Sequence, residues 1–247
     1  MFAVSRQAIG NRILDALPQA EFGRILEHVT NVHLEKDQVV YAAGDRVRYA
    51  YFPIQGLLSL ISTTETGSTL ELAMFGNEAM VGLGVINKDG IIPYDVTVRF
   101  ATDALKIKVE VLQEQFNKGG RLQELMLGYI SMLIAQISQS SICHRFHTIE
   151  EALSRWLLAV QDRVKSDTLN LTQETISNAL GVPRTGVTTA AGSLQREGLI
   201  RYSRGKISIL DRPGLEAHSC ECYRAIRDEV QWFPQSSAIT LMQHHKP

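Results

Sequence analysis

The sequence contains few cysteines and almost no excess of charge. The three cysteines, Cys143, Cys220 and Cys222, are too few and too clustered for a disulfide framework, which predicts a protein of the reducing cytoplasm. Lys and Arg number 25 against 26 Asp and Glu, so the net charge is −1. The charge of the whole chain therefore predicts no nucleic-acid partner, and any such function must rest on local charge.

One stretch, residues 125–143, contains no charged side chain over a length that would admit a membrane span. Serine and glutamine side chains are frequent in this stretch, mostly toward its C-terminal end, and a lipid-facing helix would not tolerate them. They are Ser131, Gln136, Ser138, Gln139, Ser140 and Ser141. The N-terminal residues are amphipathic and do not have the pattern of a secretory signal. We therefore predict no membrane partner and a helix buried against protein.

Residues 1–110 are predicted to fold as a helical lead-in followed by many short strands. Apolar residues between positions 15 and 29 recur at helical spacing, and the period then drops toward two. Gly, Pro and Asn residues punctuate these later segments. Many short strands at close spacing are typical of a small barrel or a jelly roll. The fold class predicted for the whole chain is α+β.

Residues 111–147 are predicted to form a dimerisation helix and a hinge, because apolar positions recur there at steps of three and four along one stripe. The predicted dimer interface consists of Leu122, Leu125, Met126, Tyr129, Leu133 and Ile137. Apolar residues off this stripe are Leu127, Ile130, Met132 and Ile134. A helix that is apolar on two faces can pack on its own domain with one face and on a partner subunit with the other face. The alternative to this dimerisation helix is the central helix of a monomeric domain.

Residues 148–247 are predicted to form a winged helix-turn-helix unit with a C-terminal tail. Thr172 is a good N-cap for a short helix that ends at Gly181, and Pro183 can open a second helix. Two short helices joined by a tight turn can place the second one in a DNA major groove. A hairpin around Arg204 follows as the wing. The residues predicted to contact DNA are Thr172, Gln173, Arg184, Thr185, Thr188, Thr189, Arg204 and Lys206.

Local charge supports a DNA partner for this unit. Residues 171–212 contain six Lys and Arg against three Asp and Glu, a net charge of +3. Such side chains neutralise phosphates, which supplies most of the affinity that does not depend on base sequence.

The order of these parts resembles the Crp/Fnr family of bacterial transcription regulators. The motifs that carry the resemblance are TQETISNALGVPRTGV and GLIRYSRGKISILD, with YAAGD, YFPIQGLLSL and MFGNEAMVGL upstream. The resemblance implies a cyclic-nucleotide-binding-like jelly roll, a dimerisation helix and a winged helix-turn-helix. It also implies a homodimer that binds two-fold-related promoter half-sites and contacts RNA polymerase.

The predicted recognition helix departs from the family pattern. Many members carry Arg-Glu-Thr-Val-Ser-Arg, whereas residues 184–189 read RTGVTT. Arg184 can still bond a guanine edge or a phosphate, but Thr185 and Thr189 replace two strong base readers. Gly186 inside a helix costs about 1 kcal/mol relative to Ala. We expect DNA binding to a different half-site, with more of it read through DNA shape.

The predicted effector pocket consists of Gly76, Glu78, Tyr94 and Asp95. Cyclic-nucleotide binders of this fold hold the ribose with a Gly-Glu pair and the phosphate with an Arg-Ser pair. Tyr94 and Asp95 stand where that second pair falls, and an aspartate repels a phosphate. We therefore predict that cyclic AMP does not control the protein. Glu78 contacts a different effector or is a surface turn carboxylate.

We predict no metal and no cofactor, and leave the effector unidentified. Three cysteines exclude the four-thiolate iron–sulfur cluster of the oxygen-sensing relatives within one subunit. His218, Cys220 and Cys222 lie close together in sequence, but Cys-x-Cys is not the usual spacing of a structural zinc site. His144 and His147 flank the hinge and are predicted to be solvated.

The sequence contains no nucleophile elbow, phosphate-cradling glycine loop, HExxH motif or paired carboxylates, so we predict that the protein is not an enzyme. We predict a dimeric DNA-binding transcription regulator whose N-terminal domain senses something other than cyclic AMP, or nothing. The alternative is an effector-binding signalling module whose winged helix docks a protein partner.

Overall fold

The computed structural model describes residues 9–85 and 90–233 and has the predicted α+β fold. A β-sheet domain comes first, a long helix follows, and a helix-turn-helix unit with a hairpin comes last. Residues 1–8 of the predicted lead-in and residues 234–247 of the predicted tail lie outside the described residues.

The N-terminal part begins with two short helices, α1 (Arg12–Asp15) and α2 (Gln19–Leu26). Seven strands follow: β1 (Thr30–Leu34), β2 (Val39–Tyr41), β3 (Tyr49–Pro53), β4 (Leu57–Thr63), β5 (Thr69–Phe75), β6 (Asp95–Phe100) and β7 (Thr102–Lys108). They form two antiparallel sheets, in the orders β1-β7-β3 and β2-β6-β4-β5. The strands therefore return to one another across the domain and do not pair in simple chain order.

Strand β4 is covered on both faces, which explains its continuous apolar run. Leu58 and Leu60 point into the core of the N-terminal domain. Leu57, on the opposite face, belongs to a second core that contains Trp156 and most of the C-terminal apolar residues. The β-sheet domain and the helix-turn-helix unit therefore share a buried apolar interface.

The segment predicted as one dimerisation helix is two helices, α3 (Val109–Asn117) and α4 (Arg121–Phe146). The break lies at Gly119 and Gly120, whose φ angles of 76° and 84° fall outside the helical range. Glu21 then caps α4, because its carboxylate accepts the backbone N–H groups of Arg121 and Leu122 at 3.1 and 2.8 Å.

The stripe predicted as the dimer interface is buried inside its own chain, so that prediction is wrong for five of its six residues. They lie in the core of the β-sheet domain together with the sheet residues, and α4 also packs on β5 and on the C-terminal helix. These five are Leu122, Leu125, Met126, Tyr129 and Leu133, and the sixth, Ile137, is half-buried against the same core. Contacts that are already made within one chain leave these side chains no surface for a partner.

The opposite face of α4 exposes apolar side chains instead. Leu127, Ile134 and Ile142 are 48%, 59% and 45% exposed. Within the described residues, α4 is also the one helix whose length and composition would suit a membrane span, with 39% of its most apolar window buried. A core helix that covers a sheet has the same composition.

The C-terminal part begins with α5 (Ile149–Val164), which starts at a capping box formed by Thr148 and Glu151. The remaining elements are β8 (Thr168–Asn170), α6 (Gln173–Leu180), α7 (Arg184–Arg196), β9 (Ile200–Ser203), β10 (Lys206–Ile209), α8 (Arg212–His218) and α9 (Cys222–Trp232). Strands β8 and β9 flank β10 in a small antiparallel sheet. Phe233 is buried against Tyr129 of α4, with ring centroids 6.2 Å apart.

Candidate nucleic-acid interface

Local capping residues build the two-helix unit where the sequence predicts it. Thr172 caps α6 by accepting the backbone N–H of Thr175 at 3.1 Å. Gly181 ends α6 in the left-handed conformation, with φ of 62°. Pro183 then stands immediately before α7, at a position where its missing N–H costs nothing. The turn geometry thus follows from residues within the unit itself.

Helix α7 buries one face and exposes the other. Val187, Ala190, Ala191 and Leu194 form the buried face and belong to the C-terminal core. The exposed face carries Arg184, Thr185, Thr188 and Thr189, as predicted. The hydroxyls of Thr188 and Thr189 donate to the carbonyls of Arg184 and Thr185 at 2.9 and 3.0 Å. Both residues are exposed, and a threonine whose hydroxyl already donates can still accept a hydrogen bond from a base edge or contact a thymine methyl.

Gly186 has a packing reason that the sequence did not reveal. A Cβ at this position would lie 2.7 Å from Cδ1 of Ile149, the first residue of α5. The glycine lets α7 approach α5 closely, which offsets its low helix propensity. The departure from the family pattern at this position is a feature of helix packing and not of base reading.

Arg184 is held by a neighbouring carboxylate. Its guanidinium lies 2.6 Å from Oε1 of Glu174 on α6, and both side chains are about three-fifths exposed. An exposed ion pair of this kind is worth about 0–1 kcal/mol. A phosphate or a guanine edge can therefore displace Glu174 at small cost, and until then the pair holds Arg184 at the start of α7.

The wing is a tight hairpin with a positively charged tip. Ile200, Ile207 and Ile209 anchor β9 and β10 in the core. Arg204 and Gly205 form the turn with φ of 49° and 75°, the pattern of a two-residue hairpin connection. Arg204 in the turn and Lys206 immediately after it are both exposed.

The wing tip and the start of α6 lie side by side. A Cβ at Gly205 would be 3.6 Å from the Cγ2 atom of Thr172. Gln195 of α7 ties the wing to the second helix, because its side-chain oxygen accepts the backbone N–H of Tyr202 at 2.7 Å. The elements that carry the predicted DNA contacts, the start of α6, the exposed face of α7 and the wing tip, thus belong to one packed unit.

The predicted effector-pocket residues already have protein partners. Glu78 is 2% exposed, so it is not a surface turn carboxylate, and its Oε1 accepts Nε of Arg163 at 2.8 Å. A Cβ at Gly76 would lie 2.6 Å from Oε2 of Glu78 and 2.9 Å from Cγ of Arg163. The glycine therefore permits a buried ion pair between the β-sheet domain and α5.

Asp95, another residue of the predicted pocket, is bonded to a loop and a strand end. The carboxylate of Asp95 accepts the backbone N–H of Ala43 at 2.8 Å and the hydroxyl of Thr63 at 3.2 Å. Tyr94 is half-buried, and burial raises the pKa of its phenol. The carboxylate of Asp95 therefore joins a loop to the end of β4.

A cavity of about 290 Å³ adjoins the Glu78–Arg163 pair and was not apparent from the sequence. Its basic lining residues are Arg12, Arg155, Arg163, Lys165 and Arg227. Nη2 of Arg163 is buried and has no hydrogen-bond partner among the described residues. These basic residues come from three separate segments, namely α1, α5 with its C-cap, and α9, so no local sequence motif predicts the cavity.

A second buried polar contact fixes the C-terminal unit to the sheet. Nε1 of Trp156 donates to Oε1 of Glu71 at 2.7 Å, and Ser59 donates to the other carboxylate oxygen. Arg99 approaches that carboxylate at 3.6 Å. At the sheet edge, Thr69 donates to the backbone carbonyl of Asn178 in α6 at 3.3 Å. The helix-turn-helix is thus held in one orientation against the β-sheet domain.

Two family models match the chain. A cyclic nucleotide-binding domain matches residues 31–118, and a Crp-like helix-turn-helix domain matches residues 151–218. Among curated proteins, the transcriptional regulator SdrP of Thermus thermophilus is 28% identical over 203 residues, which span 73% of this chain and 93% of SdrP.

Solved structures share the fold. FixK2 from Bradyrhizobium japonicum superposes with a TM-score of 0.66 at 15% identity, over 78% of this chain and 98% of FixK2. A CRP/FNR-family transcriptional regulator from Thermus thermophilus gives 0.61 at 20% identity, over 77% and 98% of the two chains.

A domain of the cyclic-nucleotide-binding type, joined to a Crp-like helix-turn-helix with an exposed basic and polar face, defines a DNA-binding transcription regulator. The chain belongs to the Crp/Fnr family.

Proposed function

We propose that this regulator binds two-fold-related promoter half-sites as a homodimer and that cyclic AMP does not control it. The observation that carries the proposal is the presence of two exposed surfaces on one chain. The helix-turn-helix and its wing expose a basic and polar face, and α4 exposes an apolar seam. A two-fold axis along that seam would present two recognition helices to one duplex.

The proposed dimer seam is the outward face of α4. Leu127, Ser131, Ile134, Ser138 and Ser141 follow one another at steps of four, three, four and three, and all five are exposed. This spacing is the heptad pattern of a helix that packs along another helix, and the serines are small enough to allow close approach. Exposed leucine and isoleucine side chains on such a face favour a second copy of the same helix as the partner.

The contacts and positions of two acidic residues, Glu78 and Asp95, support independence from cyclic AMP. Glu78 is bonded to Arg163, so its carboxylate is not free to hold a ribose. Asp95 places a negative charge where the family holds a phosphate with arginine. To bind, a cyclic nucleotide would have to break the ion pair between Glu78 and Arg163. Its phosphate would also have to approach the carboxylate of Asp95 against charge repulsion.

We also propose a cytoplasmic location and contact with RNA polymerase. Three unpaired cysteines suit a reducing compartment. The contact with RNA polymerase is proposed because the family resemblance implies it.

Genomic selection of bound DNA fragments tests the proposed function as a whole. It should recover sites with two related half-sites at a spacing of about one helical turn, whereas recovery of no enriched fragment at low salt would contradict the proposal.

Replacing Arg184 by alanine should weaken binding at one base position by about 1–3 kcal/mol, because a bidentate arginine contact to guanine is lost. Affinities for a panel of half-site variants, measured by gel shift, provide the test. Arg196→Ala, which changes an exposed arginine at the far end of α7, is the matched control. A uniform loss across all sequences would make Arg184 a phosphate contact instead.

Reversing the wing charges with Arg204→Glu and Lys206→Glu should abolish DNA binding, because phosphates would then face two carboxylates. The wild-type chain should also lose affinity steeply as salt rises, and the salt slope should fall in single wing variants. If the double variant keeps its affinity for DNA, the wing does not contact the duplex. Docking of a protein partner would then be the better account of the winged helix.

A further inference from the structure

The structure assembles four metal-ligating side chains at the junction between α4 and the C-terminal helices. Cys143 and His147 come from the last turn of α4 and its C-cap, Cys220 lies in the segment that joins α8 to α9, and Cys222 is the first residue of α9. The three sulfur atoms and the histidine ring nitrogen all lie within 4.8 Å of one another. We propose that these four residues form a Cys₃His zinc site.

The distances fit a tetrahedral zinc ion. Zn–S bonds of about 2.3 Å and Zn–N bonds of about 2.0–2.1 Å imply S–S edges of about 3.8 Å and S–N edges of about 3.5 Å. The Sγ atoms of Cys143 and Cys220 are 3.6 Å apart, and Sγ of Cys222 lies 3.5 Å from Nδ1 of His147. Small side-chain rotations would complete the tetrahedron.

Groups around the cluster are arranged as supporting contacts to metal ligands. Nδ1 of His147 faces the sulfurs, and Nε2 lies 3.3 Å from the carboxylate of Glu221. A carboxylate that accepts the second ring N–H of a ligating histidine fixes its orientation and raises its basicity. Gln139 donates to the sulfur of Cys222 at 3.0 Å, and Arg155 donates to the sulfur of Cys143 at 3.2 Å.

A neighbouring cation offsets the charge of the metal and its ligands. Three thiolates and Zn²⁺ carry a net charge of −1, and the guanidinium of Arg155 stands beside Cys143 to compensate it. Metal binding releases the three thiol protons to solvent. All four positions of a tetrahedral ion are filled by protein side chains, which is the arrangement of a structural and not a catalytic site.

Sequence spacing alone pointed to a different histidine. His218 lies two residues before Cys220, but its ring is turned toward Glu150 and Glu197, at 2.6 and 3.3 Å. Cys143 and His147 are more than 70 residues from the Cys-x-Cys pair, and only the fold brings them together. The metal would clip the end of α4 to the segment after α8, on either side of the junction at Thr148.

Metal analysis and cobalt(II) titration of the full-length chain test the site. The purified chain should hold one equivalent of zinc. After zinc is removed, cobalt(II) should produce the visible bands of a tetrahedral ion and a near-ultraviolet sulfur-to-metal charge-transfer band. All three cysteines of the chain are in the proposed site, so the thiol titre should fall to zero on loading.

Variants assign the ligands. His147→Gln should weaken zinc binding more than tenfold, and Glu221→Gln should weaken it about 10–100-fold through the lost supporting contact. His218→Gln is the matched control and should retain the metal. If the ligand variants do not fold, the cobalt spectrum of the wild-type chain still decides. Three freely titrating thiols, no retained zinc and no cobalt charge-transfer band would overturn the proposal, as would a Cys143–Cys220 disulfide in its place.

Discussion

Replacing Ile134 by glutamate should separate the proposed dimer into single chains and reduce affinity for promoter DNA about 100-fold or more. Ile134 is 59% exposed on the outward face of α4, midway along the proposed seam. In a two-fold dimer the new carboxylate would be buried twice, and an uncompensated buried charge costs about 3–5 kcal/mol. Linking two recognition helices raises the affinity for DNA by about 10²–10⁴-fold over that of one helix. A monomer has only one recognition helix and loses this gain.

The matched control for this variant is Leu26→Glu. Leu26 is an exposed apolar residue of similar size at the end of α2, in a different helix from the proposed seam. It should leave both oligomeric state and DNA affinity unchanged. Sedimentation velocity and gel shifts on the two variants provide the readouts. If Ile134→Glu remains a dimer with unchanged affinity, the seam is not the subunit interface.

Replacing Arg163 by methionine should lower the free energy of unfolding by about 3–5 kcal/mol, because it leaves the carboxylate of Glu78 buried without its partner. Both side chains are almost completely buried, and they join the β-sheet domain to α5. Urea denaturation measures the effect. Combining Arg163→Met with Glu78→Gln should recover most of the loss, because it removes the uncompensated charge.

Arg48→Met provides the control for this second prediction. Arg48 is exposed on the β-sheet domain, so its replacement should change stability by less than about 0.5 kcal/mol. If Arg163→Met destabilises the chain no more than Arg48→Met does, then Glu78 and Arg163 do not form a buried ion pair in solution. If the double variant is as unstable as Arg163→Met, lost packing and not charge causes the effect.

Local signals predicted the helix-turn-helix well. Thr172, Gly181 and Pro183 specify where each helix begins and ends through contacts within a few residues. The exposed face of α7 followed from helical periodicity once those limits were known. The purpose of Gly186 did not, because the packing contact that requires it comes from Ile149, in a different helix.

The apolar pattern of α4 could not decide which face turns inward. Two faces of the helix are apolar, and periodicity is the same for a seam against a partner and a seam against a sheet. The position of the β-sheet domain decides it by burying Leu125 and Tyr129, which leaves Leu127 and Ile134 exposed. The break at Gly119 and Gly120 was likewise missed, although a glycine pair is a helix-ending signal.

Long-range contacts account for the other differences. Glu78 and Arg163 are 85 residues apart, as are Glu71 and Trp156, so no motif pairs them. The same holds for the three cysteines and His147, whose common position depends on how α8 and α9 fold back on α4. Side chains brought together by tertiary packing carry no fixed spacing in sequence.

The most direct test of the proposed mode of binding is the mass of the complex between the chain and a promoter fragment recovered by genomic selection. Sedimentation equilibrium at working concentration should show a dimer in free solution and two chains on each duplex. A single chain in solution, and still a single chain on the duplex, would contradict the proposal that paired α4 seams hold two recognition helices together.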